Sequence, residues 1–319
     1  MNNLAEIARI LSNKDNFFLA THVNPDGDGI GSLLALALAL KERGKTVWPY
    51  LADEIPDFLT WLPGRELIRY ELPQGRDWVA IVLDCGEASR LGKEAGAFVR
   101  GLSNVIVCDH HEISGTLGSI RHVEITFATA AIIFKLLELL KHPLDPNIAT
   151  NLYVAIFSDT GGFRYQQTNA ETFFMVQKLI EAGVSPSDIA ARLTENFSLA
   201  RFCLLKIALA RLKILAEGKV AVSYLSAKDY ENCKAKKADS DDFATMFRTI
   251  RGVEVSALVK EYHPGEITVS LRSRGQVNVA TFAVQFGGGG HRFAAGFKQK
   301  GLLAELLSRL TKELEALFS

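Results

Sequence analysis

"NFFLATHVNPDGDGIGSLLALALALKE", residues 16–42, joins an apolar, aromatic run to a helical one through a loop of glycines and acids. The first part, "NFFLATHV", has the composition of a buried strand, and the last, from residue 30 to 42, is apolar at most positions. Between them stand His22, Asp26 and Asp28, interleaved with Gly27, Gly29 and Gly31. Strand, Gly-rich loop and helix in this order form the first half of a βαβ unit. Further β-branched or aromatic runs follow at "KTVWPYLA", "WVAIVLD" and "NVIVCD", and helical runs cover residues 2 to 12, 127 to 141 and 146 to 157. This alternation predicts an α/β fold whose N-terminal part is a mostly parallel sheet with helices on both faces.

Such sheets bind ligands beyond the carboxyl ends of their strands. Three of the four strand candidates carry polar residues there: His22 after "FFLAT", Asp84 after "VAIVL", and Asp109, His110 and His111 after "VIVC". Asp159 follows a fourth apolar run in "YVAIFSDTGGFRY". Gly27, Gly29 and Gly31 are expected to remove side chains that would block a common meeting point. An isolated "PDGDG" is more simply a turn and helix cap. Carboxylates gathered at several strand ends, however, would repel one another and resist burial unless a cation stood among them. The mixture of carboxylates and imidazoles suits divalent first-row ions, Mn²⁺ foremost, with Mg²⁺, Co²⁺ or Zn²⁺ as competitors. Enough ligands are present for two ions, an arrangement that serves hydrolysis at phosphorus.

From about residue 170 to 212 the reading is helical. Two stretches with alternating patterns then surround the turn signals Glu217-Gly218 and Pro264-Gly265, as β-hairpins do. The expected organisation is a catalytic domain over 1–185, a helical linker over 186–212 and a smaller α+β domain over 213–319. A chain of 319 residues is long enough for two cores, and 48% hydrophobic with 23% charged residues marks it as globular. Lys plus Arg and Asp plus Glu balance at 36 each, which excludes a global pull toward duplex nucleic acid or an anionic membrane. Cys85, Cys108, Cys203 and Cys233 form no CxxC pair, against a zinc knuckle or a dithiol redox motif and in keeping with a reducing, cytoplasmic setting. No apolar stretch reads as a signal peptide or a membrane span.

Six segments together carry a resemblance: "THVNPDGDGIGS", "LDCGEASRLG", "VCDHH", "FSDTGGFRY", "SLRSRGQVNVATFAVQF" and "GGGGHRFAAGF". The chain resembles the DHH phosphoesterase superfamily with its DHH-associated C-terminal domain, and within it the branch of bifunctional oligoribonucleases and 3'-phosphoadenosine 5'-phosphate (pAp) phosphatases. The resemblance implies that His22 and Asp26 hold one metal ion, that Asp28, His110 and Asp159 hold the other, and that Asp84 bridges them. It implies that His111 faces the substrate phosphate as a contact or general acid, and that Asp109 orients the histidine pair. In the second domain it implies substrate binding by Arg272 and Ser273 of "SLRS" and by Gly288, Gly289, Gly290 and His291 of "GGGGH", with Arg272 and His291 reaching across a cleft. Asn278 and Phe293 stand where the family often carries an acid and a polar residue.

The implied activity is metal-dependent hydrolysis of very short single-stranded RNA to mononucleotides and of pAp to AMP. A phosphodiesterase for cyclic dinucleotides or their linear products is the alternative within the enzyme class, and a nucleotide sensor without catalysis is the alternative outside it. No membrane partner is expected, and symmetric assembly makes a homodimer the default oligomer. Tyr165 of "GGFRY" is read equally as a packing residue and as a base-stacking one.

Overall fold

The fold is that of a computed structural model and is described for residues 3–111 and 115–318. The chain divides between Asn196 and Phe197 into two compact units. The segment read as a linker is shared between them, since its helices Pro186–Thr194 and Leu199–Ala210 lie on either side of that division.

The first unit runs α1 (Leu4–Asn13), β1 (Asn16–Ala20), α2 (Gly27–Glu42), β2 (Thr46–Tyr50), β3 (Val79–Leu83), α3 (Lys93–Arg100), β4 (Asn104–Asp109), β5 (Ile120–Val123), α4 (Thr129–Leu139), α5 (Pro146–Asp159), α6 (Ala170–Glu181) and α7 (Pro186–Thr194). Its sheet has the order β2-β1-β3-β4-β5, and every neighbouring pair is parallel. Alternate strand residues face opposite layers. Phe17, Leu19, Ile81, Leu83 and Ile106 join a core with α1, α2, α4 and α5, whereas Phe18, Ala20, Val82, Val105 and Val107 pack against Phe98 and Val99 of α3. Helices therefore cover both faces, as the alternation predicted. α3 and β5 were not among the expected elements: "KEAGAFVR" is too short to show a helical period, and only two positions of "IRHV" are apolar.

β1 sends its crossover to β2 on one side, and β3 lies on its other side. The strand order reverses at β1/β3, so a crevice opens beyond their carboxyl ends. His22 and Asp84 follow those two strands.

The second unit contains α8 (Leu199–Ala210), β6 (Lys213–Leu215), β7 (Val220–Leu225), α9 (Ala227–Cys233), α10 (Phe243–Arg248), β8 (Val255–His263), β9 (Glu266–Ser273), α11 (Val279–Val284), β10 (Gly289–His291), β11 (Ala294–Lys300) and α12 (Leu303–Glu315). Its sheet, β10-β11-β9-β8-β7-β6, is antiparallel except for β7 beside β8. Both expected hairpins are present. Cys203 on α8 and Cys233 at the end of α9 are joined by a disulfide, with Cα atoms 5.7 Å apart. The absence of a CxxC pair did not foretell this bond, because partners 30 residues apart leave no local spacing signature. Cys85 and Cys108 are free and buried. Among the described residues, no helix is long and apolar enough to cross a membrane.

Candidate active site

Side chains from five places in the first unit meet beyond the carboxyl edge of its sheet. His22 follows β1, Asp26 and Asp28 open α2, Asp84 follows β3, His110 follows β4, and Asp159 is the last residue of α5. His22, Asp26 and Asp84 offer ligand atoms within 4.8 Å of one another; Asp28, His110 and Asp159 form a second such group, and Asp84, His110 and His111 a third.

Both imidazoles are held from behind. His22 Nδ1 lies 2.9 Å from Val23 O, and His110 Nδ1 lies 3.1 Å from Thr126 O. A carbonyl partner keeps a proton on Nδ1 and turns Nε2 outward. His22 Nε2 faces Asp84 Oδ2 at 3.3 Å and Asp26 Oδ1 at 3.8 Å. His110 Nε2 lies 3.4 Å from both Asp84 Oδ1 and Asp159 Oδ2, and 3.8 Å from Asp28 Oδ2. Asp84 thus presents one oxygen to each histidine. Its φ of +59° is in the left-handed region, uncommon for a residue with a side chain and typical of sites where the chain is bent to aim a functional group.

The acids differ in their supports. Asp26 caps α2, its Oδ1 accepting the N–H groups of Asp28 and Gly29 at 3.1 and 3.0 Å. Asp28 is buried, and α4 donates its first two amides to it. Asp159 Oδ2 is buried and makes no hydrogen bond. Burial, together with the charges of Asp84, Asp159 and Asp26, raises the Asp28 carboxyl well above the usual range. Burial also pushes Asp159 up to about 6, against the pull of the His110 ring and with the help of the Asp84 and Asp26 charges. His22 responds in the opposite way: burial lowers it, but its bonds to Asp26 and Asp84 prevail and push it up to about 10. The raised Asp28 and Asp159 carboxyls mark a place short of positive charge, while at Asp26 burial is outweighed by the His22 bond and two backbone amides, which hold its carboxyl below the usual range. An orphaned carboxylate oxygen and two outward Nε2 atoms fit divalent cations of the kind that carboxylate and imidazole ligands take.

His111 is partly exposed beside this cluster, with Nδ1 2.7 Å from Asp109 Oδ1. The Asp109 bond chiefly raises the His111 pKa, against the effect of burial. Asp109 is itself buried, and its Oδ1 also accepts the His111 N–H at 3.2 Å.

Two expectations need correcting. The loop glycines do not clear space around the ligands. A Cβ at Gly31 would stand 2.5 Å from Asn151 O, one at Gly27 would collide with Ser158 Oγ, and one at Gly29 would stand 2.5 Å from Thr21 Oγ1. Gly27 and Gly31 instead let α5 lie close against α2, which brings Asp159 to Asp28 and His110. In the second unit, Ser273 is fully buried and its hydroxyl donates to Val277 O at 2.7 Å, with Glu254 Oε1 3.3 Å away. It also accepts Gly275 N–H at 2.9 Å, so its side chain holds the following loop together and is removed from the substrate set.

Of the remaining second-unit candidates, His291 is on the edge strand β10 and Arg272 on β9, two strands in. His291 pairs with Ala294, and Ala294 with Arg272, in a single row across β10, β11 and β9. Residues of such a row point to one face. Arg272 Nε donates to Thr245 Oγ1 at 3.1 Å. Gly288 and Gly290 are required by close packing: a Cβ at either would strike the β11 backbone. Asn278 caps α11 by accepting the N–H groups of Ala280 and Thr281, and Phe293 is half exposed.

Thr129 escaped sequence reading altogether. It is fully buried, and its hydroxyl donates to Asp84 Oδ1 at 3.0 Å. Its signal was a polar residue at the start of the apolar helix "TAAIIFKLLEL".

Residues 16–156 match the N-terminal domain of the DHH family, and residues 217–319 match the DHHA1 domain. The chain is 36% identical over 289 residues to a bifunctional oligoribonuclease and PAP phosphatase, NrnA, of Thermus thermophilus, an alignment covering 89% of this chain and 84% of that one. A solved exopolyphosphatase-related protein of Bacteroides fragilis superposes with a TM-score of 0.91 at 25% identity, over 99% of this chain and 97% of that one. The exonuclease RecJ, solved with manganese, superposes with a TM-score of 0.58 at 16% identity, over 100% of this chain and 94% of that one, a likeness of fold. Both domains in their order, with identity spread over nine-tenths of the length, mean that the chain belongs to the DHH family of phosphoesterases.

Proposed function

We propose that this protein hydrolyses short single-stranded oligoribonucleotides to mononucleotides and removes the 3'-phosphate of pAp to give AMP. The observation that carries the proposal is the convergence of four carboxylates and two outward-facing imidazoles at the β1/β3 crevice. The likeness to a bifunctional oligoribonuclease and PAP phosphatase supplies the substrate class. His22, Asp26 and Asp84 are assigned to one divalent cation and Asp28, His110 and Asp159 to a second, with Asp84 shared. Mn²⁺ is the proposed ion, with Mg²⁺ and Co²⁺ as substitutes. When bound, such ions lower the pKa of water and offset charge on phosphate oxygens.

The chain's own groups do the rest. The Val23 and Thr126 carbonyls keep His22 and His110 in the tautomer that offers Nε2. Asp109, by keeping a proton on His111, prepares that ring to hydrogen-bond a phosphate oxygen and to donate to the leaving 3'- or bridging oxygen. Arg272 is assigned a substrate phosphate, which a guanidinium grips through two parallel donors. His291 of the same row is assigned to the same phosphate. A substrate of a few nucleotides needs only such local contacts, in keeping with a chain of zero net charge.

The test is to incubate the protein with Mn²⁺ and 5'-phosphorylated diadenylate, pAp, cyclic dinucleotides and pyrophosphate side by side, separating products by chromatography. AMP from the first two is expected. Hydrolysis confined to cyclic dinucleotides or pyrophosphate would overturn the assignment, and tight binding without AMP in Mn²⁺, Mg²⁺ and Co²⁺ would make the protein a sensor.

A further inference from the structure

The first residue of α4 touches two of the clustered carboxylates at once. Thr129 donates its hydroxyl to Asp84 Oδ1 at 3.0 Å and its backbone N–H to Asp28 Oδ2 at 2.6 Å. The next amide, Ala130 N–H, donates to Asp28 Oδ1 at 3.1 Å, and Ser32 Oγ donates to that same oxygen at 3.1 Å. The first amides of a helix have no acceptor within it, and Ala128, in the N-cap position of α4, has no side chain able to supply one. Asp28, about 100 residues earlier in the chain, is therefore the cap of α4, and both of its oxygens are fixed by the arrangement.

The hydroxyl has a separate consequence for Asp84. That carboxylate lies on a left-handed backbone and presents Oδ2 to His22 and Oδ1 to His110 and His111. Rotation about its last side-chain bond would change both directions together, since that torsion has broad minima. A single donor placed on Oδ1 removes the freedom. We propose that Thr129 is a positioning residue: its hydroxyl fixes the plane of the Asp84 carboxylate so that one oxygen faces each histidine, and so sets the affinity of the cluster for divalent cations. The inference rests on the metal assignment made under the proposed function.

Thr129→Val keeps the shape and the backbone bond to Asp28 and replaces only the hydroxyl, with a methyl group, whereas Thr129→Ser keeps the hydroxyl and removes a methyl group. Calorimetric titration of the full chain with Mn²⁺ reads the affinity without reference to turnover. Loss of an outer partner of a metal ligand typically weakens binding by about 10–100-fold. That loss is expected for Thr129→Val at an unchanged melting temperature, with Thr129→Ser close to wild type. Unweakened binding by Thr129→Val would overturn the inference, as would a Thr129→Ser protein as weak as Thr129→Val, because the methyl group would then be responsible. If Thr129→Val does not fold, Thr129→Ala takes its place with the same two outcomes. A wild-type chain that binds no Mn²⁺ would overturn the metal assignment itself; a wild-type chain that binds while Thr129→Val is unaffected would remove Thr129 alone.

Discussion

Asp84 combines burial, a left-handed backbone and contact distances to three histidines. Asp84→Asn keeps the volume and removes the charge that would be shared between two cations. Its turnover on 5'-phosphorylated diadenylate in Mn²⁺ is expected to fall by more than the roughly 100-fold typical of losing an outer partner, with the melting temperature held or raised because a buried charge is gone. Near-normal turnover would refute the shared role. Asp109 offers a test by pH. Its carboxylate raises the His111 pKa, so the acid form of the ring survives to higher pH than an isolated imidazole would allow. If that form donates the proton, activity is lost as pH rises through the raised pKa. Asp109→Asn lowers the His111 pKa, and the alkaline limb of the kcat profile is expected to move to lower pH; an unmoved limb would take proton donation away from His111. At this scale the sequence was most legible where residue type and strand end coincided, as with His22, Asp84 and His110. It was least so for Thr129 and Ser273, whose roles depend on partners about 45 residues away or on complete burial.

α2 and α5 carry the part of the site that strand endings do not supply. Asp159 arrives from a helix end, and what sets its position is the close approach of α5 to α2 over Gly27 and Gly31. Gly31→Ala would put a methyl 2.5 Å from a backbone oxygen of α5, which cannot swing aside as a side chain could. The expected result is a destabilisation of about 1–3 kcal/mol, the usual cost of overpacking, measured by denaturant unfolding. Mn²⁺ affinity is expected to fall with it as Asp159 shifts; unchanged stability and affinity would show that the glycines are not needed for the approach. The sequence placed these glycines correctly beside the site and misassigned their purpose, because a loop pattern does not reveal which helix will later lie against it. β1, β3, β4 and the two hairpins were legible from alternation and turn residues. α3, eight residues long, spans little more than two helical turns, less than the window of about 11 residues over which a period becomes visible.

For the whole molecule, the candidate ligands gather at the carboxyl edge of the parallel sheet, and that edge follows from the strand and helix alternation, whereas the strand order that reverses at β1/β3 does not. The Cys203–Cys233 disulfide of the second unit could not be read from spacing, since it depends on α8 packing against α9. A link across 30 residues is expected to contribute about 3.6 kcal/mol by restricting the unfolded chain. A lower melting temperature in reductant, absent in Cys203→Ser, would show it; equal melting temperatures with and without reductant would show that the link adds nothing. The central claim is that two cations sit among His22, Asp26, Asp28, Asp84, His110 and Asp159. Anomalous diffraction at the manganese edge from crystals grown with Mn²⁺ tests it most directly. Two peaks roughly 3.5–4 Å apart, with Asp84 touching both, are expected; no peak among these six residues, or peaks only elsewhere on the chain, would contradict it.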